Sequence, residues 1–303
     1  MARPLASIVV PTRDKAPRLR LTLLCLAGQR DVGRFEVVVV DDGSRDHTRA
    51  VAAEAARELP LLVVAGGSGD GSGDGTGRAA ARNRGAASAG GDHLVFLDDD
   101  VLVGPTFLAE HLALSGRERF VHGRLRELPT AARLLHELEA APAEALRHAR
   151  DQVHGLVPGA GPRQRLVANA LERAIEAMDA GELEDVAPWL GCVGANVSMA
   201  RAAFEAAGGF DEGFGTLWGC EDLELGMRLH RSGLRRVLAP RALGVHLSHP
   251  RPGRWEEHAA TLERFAALHP QPAVTALACL LEADGSPRRY VAAVAAGLGA
   301  SPA

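Results

Sequence analysis

Short apolar runs that end in polar or acidic residues constrain this chain more than any other feature. Residues 6–10 (ASIVV) stop at Pro11, residues 35–40 (FEVVVV) stop at Asp41 and Asp42, and residues 95–97 (VFL) stop at Asp98, Asp99 and Asp100. Runs this short, with no polar alternation, read as strands buried on both faces. A further run at 61–64 gives a third strand, which makes 95–97 part of a fourth. Between them lie helical patterns. Leu19, Leu23 and Leu26 share one face of residues 18–29, and Ser44 and Asp46 stand ready to cap a helix at 48–58. Strands alternating with helices predict an α/β fold with a mainly parallel sheet and helices on both faces.

Sheets of this kind bind ligands beyond the carboxyl ends of their strands. That edge should collect Pro11, Thr12, Arg13 and Asp14, then Asp41 to Ser44, then Asp98, Asp99 and Asp100. Asp41, Asp42, Asp98, Asp99 and Asp100, converging there, repel one another unless a positive charge lies between them. A hard divalent cation, Mn²⁺ or Mg²⁺, answers that need with oxygen ligands and substrate phosphates. A lone D-D-D also reads as a solvated turn capping the next helix. Its place at a strand end, matched by D-D-G-S after an earlier strand, favours the site.

Other classes are disfavoured. A net charge of −4 argues against a nucleic-acid partner. Lys15 is the only lysine, which reads as genome composition. Cys25, Cys192, Cys220 and Cys279 form no C-x-x-C pair and suit a reducing compartment. The beginning of the chain has no signal-peptide core. The longest apolar runs, such as 273–281, are too short to span a bilayer. The expectation is a cytoplasmic protein without a transmembrane segment, any work at a membrane being peripheral or through a partner.

Residues 66–77 (GGSGDGSGDGTG) read as a flexible loop. From about 104 to 185 the pattern turns helical, with stretches at 130–150 and 163–178 separated by a Gly/Pro break at 155–162, and reads as an insertion. Turn-rich, strand-like sequence returns at 190–199, followed by a helix at 223–232 and a strand at 236–238. The tail after Pro252 looks helical and carries no interpretable motif.

The runs S-I-V-V-P-T-R, V-V-V-D-D-G-S, A-R-N-R-G-A and V-F-L-D-D-D, in that order, resemble the nucleotide-sugar-binding half of family 2 glycosyltransferases with the GT-A fold. G-A-N-V-S-M, G-G-F-D-E and W-G-C-E-D-L-E-L extend the match; the last resembles the W-G-G-E-D or W-G-G-E-N signature of galactosyl- and polypeptide N-acetylgalactosaminyltransferases. The resemblance covers about 1–120 and 186–250. It implies a GT-A domain over 1–250, Rossmann-like, with a helical insertion at about 106–185 and a helical extension at 251–303.

The resemblance also implies roles. Pro11, Thr12 and Arg13 would line the nucleotide pocket. Asp42 would accept a hydrogen bond from a base ring N–H, favouring uracil and so a UDP-sugar, with Asp41 shaping the turn. Arg78 or Arg82 would meet base or pyrophosphate, and Asn83 would hold the local turn. Asp98 and Asp100 would form the D-x-D, Asp100 on the metal and Asp98 or Asp99 on the ribose or a metal-bound water. His246, ahead of His249, would be a late metal ligand. Asp222, at a helix start that stabilises a carboxylate, would be the base of an inverting transfer. Glu221 and Asn196 would bind sugar hydroxyls, and Trp218 would stack on a sugar. The acceptor stays open among a glycan, a lipid carrier, a peptide and a small natural product. A nucleotidyltransferase would carry a Gly-rich loop where P-T-R-D stands, and a non-catalytic nucleotide-sugar-binding protein would have no need of intact D-D-D and E-D.

Overall fold

A computed structural model describes residues 3–66, 75–132, 135–136, 166–250, 253–282 and 284–297. The core of the expected loop at 66–77, most of the helix expected at 130–150 and the Gly/Pro break at 155–162 lie outside the described residues.

The N-terminal half forms as the apolar runs predict. Strands β1 (Ala6–Thr12), β2 (Phe35–Asp41), β3 (Leu61–Ala65) and β4 (His93–Leu97) are mutually parallel. The register sets Thr12 opposite Asp41, so the acidic ends of these strands share one edge. Successive residues of β1 face opposite layers. Ala6, Ile8 and Val10 pack with α1 (Ala16–Ala27) and α2 (Thr48–Ala55), while Val9 packs with α3 (Arg78–Ser88). Burial on both faces is why these strands read as continuous apolar runs.

The eight-stranded sheet continues in the order β3-β2-β1-β4-β7-β6-β8-β5. The added strands are β5 (Val101–Val103), β6 (Arg119–Glu127), β7 (Asn196–Ala200) and β8 (Arg235–His246). β7 runs antiparallel to β4 and β6, while β8 is parallel to β6 and antiparallel to β5. Two sequence expectations are corrected here. The region read as a helical insertion holds, besides α4 (Phe107–Leu114), a central strand, β6. Its sequence R-F-V-H-G-R-L-R-E shows no apolar run, because buried His122 pairs with Glu172 at 2.8 Å instead of packing as a hydrophobe. The strand expected at 236–238 is twelve residues long.

Asn169 accepts a hydrogen bond from the Glu172 amide at 2.9 Å and starts α5 (Ala170–Asp179) later than the helical pattern suggested. After α6 (Arg201–Ala206) and α7 (Glu221–Arg231) the tail forms α8 (Arg254–Leu268), α9 (Pro272–Thr275), α10 (Ala278–Leu281) and α11 (Pro287–Ala295). Phe265, Val274, Leu277, Leu280 and Tyr290 of this tail share a third core with Trp189, Leu223 and Met227. The tail is thus built into the wall behind α7. No described helix is long and apolar enough to cross a membrane.

Two buried imidazoles make this core sensitive to acid. His111 lies 3.0 Å from Ser198 Oγ and 2.8 Å from Asn196 Oδ1, and burial pushes its pKa from 6.5 down to about 3. Burial likewise pushes His93 down to about 4. Below 6.5 the unfolded chain binds protons that these rings refuse, so stability falls as pH drops from 6.5 towards 3. The unfolding free energy from urea titration should decrease between pH 7 and pH 5, by on the order of 2 kcal/mol for each such histidine. His111→Gln should flatten this dependence; an unchanged slope would remove His111 as its source.

Candidate functional site

A cleft of about 560 Å³ opens at the carboxyl edge of the sheet. The three aspartates after β4 diverge within it. Asp98 accepts a hydrogen bond from Arg82 at 2.8 Å. Asp99 is buried, its Oδ2 without a hydrogen-bond partner among the described residues, and burial together with Asp100 pushes its pKa up to about 7. Asp100 faces two histidines and a lysine: His246 Nε2 at 3.4 Å, His249 Nδ1 at 3.6 Å and Lys15 Nζ at 3.1 Å. Burial works against its charge, but these groups hold its pKa below the ordinary carboxylate range.

Pairing between distant strands assembles this cluster. β5 sets Val101 opposite His246, and the Leu247 amide donates to the Asp100 carbonyl at 2.8 Å. β6 sets Glu127 opposite His246, and the Glu127 carboxylate lies 2.7 Å from His246 Nδ1 and accepts from Ser248 Oγ at 2.6 Å. Against the effect of burial, Asp100 and Glu127 hold the His246 pKa well above its ordinary value. One nitrogen of His246 is fixed by Glu127 and the other is presented towards Asp100. Asp100, His246 and His249 each offer a ligand atom within 4.8 Å of the others. His249, ranked behind His246 from the sequence, stands beside it. Glu127 and Lys15 were not singled out, because neither carries a local signal.

At the other end of the cleft, α3 and α7 meet through one guanidinium. Arg82, 2% exposed, donates to Asp98 and to Glu221, each at 2.8 Å. Burial opposes its charge, but Asp98, Glu221 and Asp222 hold its pKa above the ordinary value. Asp222, in the first turn of α7, accepts from the Gly194 and Leu223 amides, each at 2.8 Å. Burial and the Glu221 charge push its pKa up to about 6, against the pull of Arg82 and the two amides. The turn before α7 is tight: Gly219 has φ 112° and Cys220 φ 66°. Cys220 is a non-glycine residue in the left-handed region, its side chain only 2% exposed.

Pro11, Thr12, Arg13, Asp42 and Arg78 also line the cleft. Asp41 accepts from the Ser44 amide at 2.9 Å and shapes the turn. Asp42 accepts from the Thr76 amide and hydroxyl at 2.8 Å and from the Gly77 amide at 3.0 Å, so a base ring N–H would share a carboxylate already used. Arg78 opens α3 and forms no ion pair among the described residues, whereas Arg82 is committed to two carboxylates. Asn83 exchanges hydrogen bonds with the Phe210 backbone, 2.9 and 2.8 Å. On the opposite wall, Trp218 stands edge-on to His258, ring centroids 5.1 Å apart, and Arg254 lies over Trp218 at 5.4 Å and over Trp255 at 4.2 Å. The tail therefore lines the cleft.

The structure corrects the placing of Asn196 on a sugar. Asn196 is fully buried in β7, away from the cleft. Its amide donates to the carbonyls of Arg124 at 3.2 Å and Ala242 at 3.0 Å, beside the register shift of β6 between Gly123 and Leu125. A bulge leaves ladder groups unpaired, and the Asn196 side chain satisfies them.

The profile of glycosyl transferase family 2 matches residues 7–128, and that described as the N-terminal domain of galactosyltransferase matches 182–250. A validoxylamine A glucosyltransferase of Streptomyces hygroscopicus subsp. jinggangensis is 33% identical over 278 residues, covering 88% of this chain and 61% of its own length. A chondroitin synthase of Escherichia coli is 28% identical over 80% of this chain and 35% of its own. The chain thus spans about three fifths, or less, of these relatives. Among solved structures, the mannosyltransferase PcManGT from Pyrobaculum calidifontis, in complex with GDP-Man and Mn²⁺, superposes with TM-score 0.58 at 20% identity, covering 100% of this chain and 77% of its own. S. aureus TarS 1-349 in complex with UDP-GlcNAc gives 0.54 at 17% identity over 86% and 65%. These likenesses establish the fold.

Removing Arg82 leaves two carboxylates without their shared cation. Breaking a buried pair this way costs about 3–5 kcal/mol, and partial exposure of Asp98 places Arg82→Met near the lower end. Chemical unfolding should show that loss, and neutralising the partners with Asp98→Asn and Glu221→Gln should recover part of it. Wild-type stability in Arg82→Met would show that the bridge stabilises nothing.

Proposed function

The chain belongs to glycosyl transferase family 2, and from that premise we propose that it moves a sugar from a nucleoside-diphosphate donor to an acceptor hydroxyl, with Asp222 as the base. The observation that carries this reading is the pair of environments in one cleft. Asp222 is poised with a pKa of about 6, while Asp100, His246 and His249 form a cluster fit for a divalent cation.

The donor set supports such an ion. A carboxylate and two imidazoles suit Mn²⁺, and with diphosphate oxygens would suit Mg²⁺ as well. Glu127 fixes Nδ1 of His246, the arrangement by which a second carboxylate orients a metal-binding imidazole. Asp100, His246 and His249 would hold the cation, which when bound stabilises charge on a departing diphosphate.

The protein's own groups account for the rest. Asp222 takes the proton of the acceptor hydroxyl as the oxygen–C1 bond forms. The bond from C1 to the diphosphate oxygen breaks, its electron pair leaving with the nucleoside diphosphate, and the configuration at C1 inverts. Arg78, at the start of α3, meets the diphosphate in preference to Arg82, which holds Asp98 and Glu221 in place. Asp42 meets the base and favours a UDP-sugar, Asp98 and Asp99 lie towards the ribose, and Glu221 and Trp218 face the sugars. The tail residues Arg254, Trp255 and His258 face the acceptor.

Two measurements test the reading. Asp222→Asn should lower transfer by at least about 10²–10⁴-fold while leaving donor affinity unchanged. In the wild type kcat/KM should rise as pH increases through about 6, because only the deprotonated carboxylate accepts a proton. Full transfer by Asp222→Asn would sink its role as base. Thermal melts with UDP and with GDP, each with and without Mn²⁺, report the donor. At ~100 times the dissociation constant a ligand adds about 2.7 kcal/mol, a shift of several degrees in a protein of this size. Glu127→Gln should weaken the Mn²⁺-dependent part by about 10–100-fold in affinity. A shift with GDP alone would overturn the uracil assignment, and none with either nucleotide would overturn the donor site.

A further inference from the structure

The cluster around Asp100 contains a positive charge of its own. Lys15 Nζ lies 3.1 Å from Asp100 Oδ2 and 3.0 Å from His249 Nε2, between two of the three groups proposed to hold a metal. The choice of residue is informative, because of the 34 Lys and Arg residues in the chain only this one is lysine. An arginine would present a planar fork that grips a carboxylate with two parallel hydrogen bonds. A lysine presents a compact point charge on a flexible stem, and can let go by rotating that stem.

The backbone beneath is pinned while the side chain is not. Asp14 takes a left-handed conformation with φ 52°, and its carboxylate accepts from the amides of Arg45 at 2.7 Å and Asp46 at 3.3 Å. The Ala16 amide donates to Asp46 at 3.0 Å. The Lys15 side chain is 24% exposed, so it has somewhere to go. A divalent cation on Asp100 and His249 and an ammonium within hydrogen-bond distance of both would be like charges in one place, and one must leave. The negative charge that the reaction brings into the cleft is the donor's diphosphate.

We propose that Lys15 is a tethered counter-ion that holds Asp100 and His249 in the metal-free protein, and that it gives way to the divalent cation as the donor's diphosphate arrives to receive the displaced ammonium. This rests on the metal reading of Asp100, His246 and His249. Lys15 is a positioning residue: it acts through the metal ligands and couples metal loading to donor loading. Coupling of this kind is reciprocal, so the nucleotide tightens the metal by the factor with which the metal tightens the nucleotide.

The test is Mn²⁺ binding to the full chain, followed by the electron paramagnetic resonance signal of free Mn²⁺, without nucleotide and with UDP or GDP. In the wild type the nucleotide should tighten Mn²⁺ by roughly tenfold or more. Lys15→Met should bind Mn²⁺ alone roughly tenfold more tightly than wild type, because a like charge is gone, and should gain at most about threefold on adding nucleotide. Lys15→Arg should bind Mn²⁺ more weakly than wild type with or without nucleotide. If Lys15→Met does not fold, as judged by its melt without ligand, Lys15→Gln carries the same comparison. Equal Mn²⁺ affinity of the wild type and the neutral variant without nucleotide overturns the proposal and leaves the metal site standing. Absence of Mn²⁺ binding in every protein and condition overturns the metal reading, and the role of Lys15 with it.

Discussion

The site depends on one buried guanidinium. Arg82 rises from α3 in the parallel half of the sheet and ties Asp98, at the end of β4, to Glu221, in the first turn of α7. Asp98, Glu221 and Asp222 would otherwise be three acids held close together, Glu221 buried and the other two half-buried, at a cost that a nearby cation offsets. The bridge also sets the level of the proposed base, because Arg82 and two backbone amides lower what burial and Glu221 raise. A side chain at Gly194 would run into the Arg82 guanidinium, so the backbone that donates to Asp222 must pass there bare. Joining β4 to α7 and tuning the proposed base are one arrangement.

The three consecutive aspartates show how a strand end can serve several purposes. The chain turns as it leaves β4, the Val101 amide donating to the Asp98 carbonyl at 3.3 Å, and one short run supplies a partner for Arg82, a buried carboxyl with a raised pKa and a carboxylate for the histidine cluster. Asp98 and Asp100 are the two that meet other charged side chains in the cleft. Asp99 is buried at the floor of the cleft, and the Thr22 hydroxyl donates to its backbone carbonyl at 3.0 Å.

How much could be read from the sequence follows from where each signal lives. The parallel half was legible because burial on both faces writes apolar runs into adjacent residues, and Asp98 to Asp100 were legible as their ends. Asp222 was legible from the W-G-C-E-D resemblance and the helix it opens. β6 was not, because its buried polar residues break the pattern. Glu127 and Lys15 were not, and His249 was ranked low, because their proximity to Asp100 and His246 arises from pairings and contacts across 85 to 234 residues of chain. Asn196 misled for the opposite reason. It sits in a motif of the resemblance, but the demand it meets comes from carbonyls freed by a bulge in another strand, which no local window displays.

The turn at Gly219 and Cys220 has a kinetic consequence. Cys220 places a buried thiol in a conformation that favours glycine, and the neighbouring Gly219 lies close against His258 of the tail helix. The Trp218 segment cannot swing outward without drawing that sulfur from the core and parting from a helix that shares its packing. Walls that open and shut often set the pace of catalysis by governing release. This wall is held from both sides, by the buried Cys220 and by the tail helix. Any movement that opens the cleft then belongs to other parts of its lining, and whatever enters meets on this side a surface already in place.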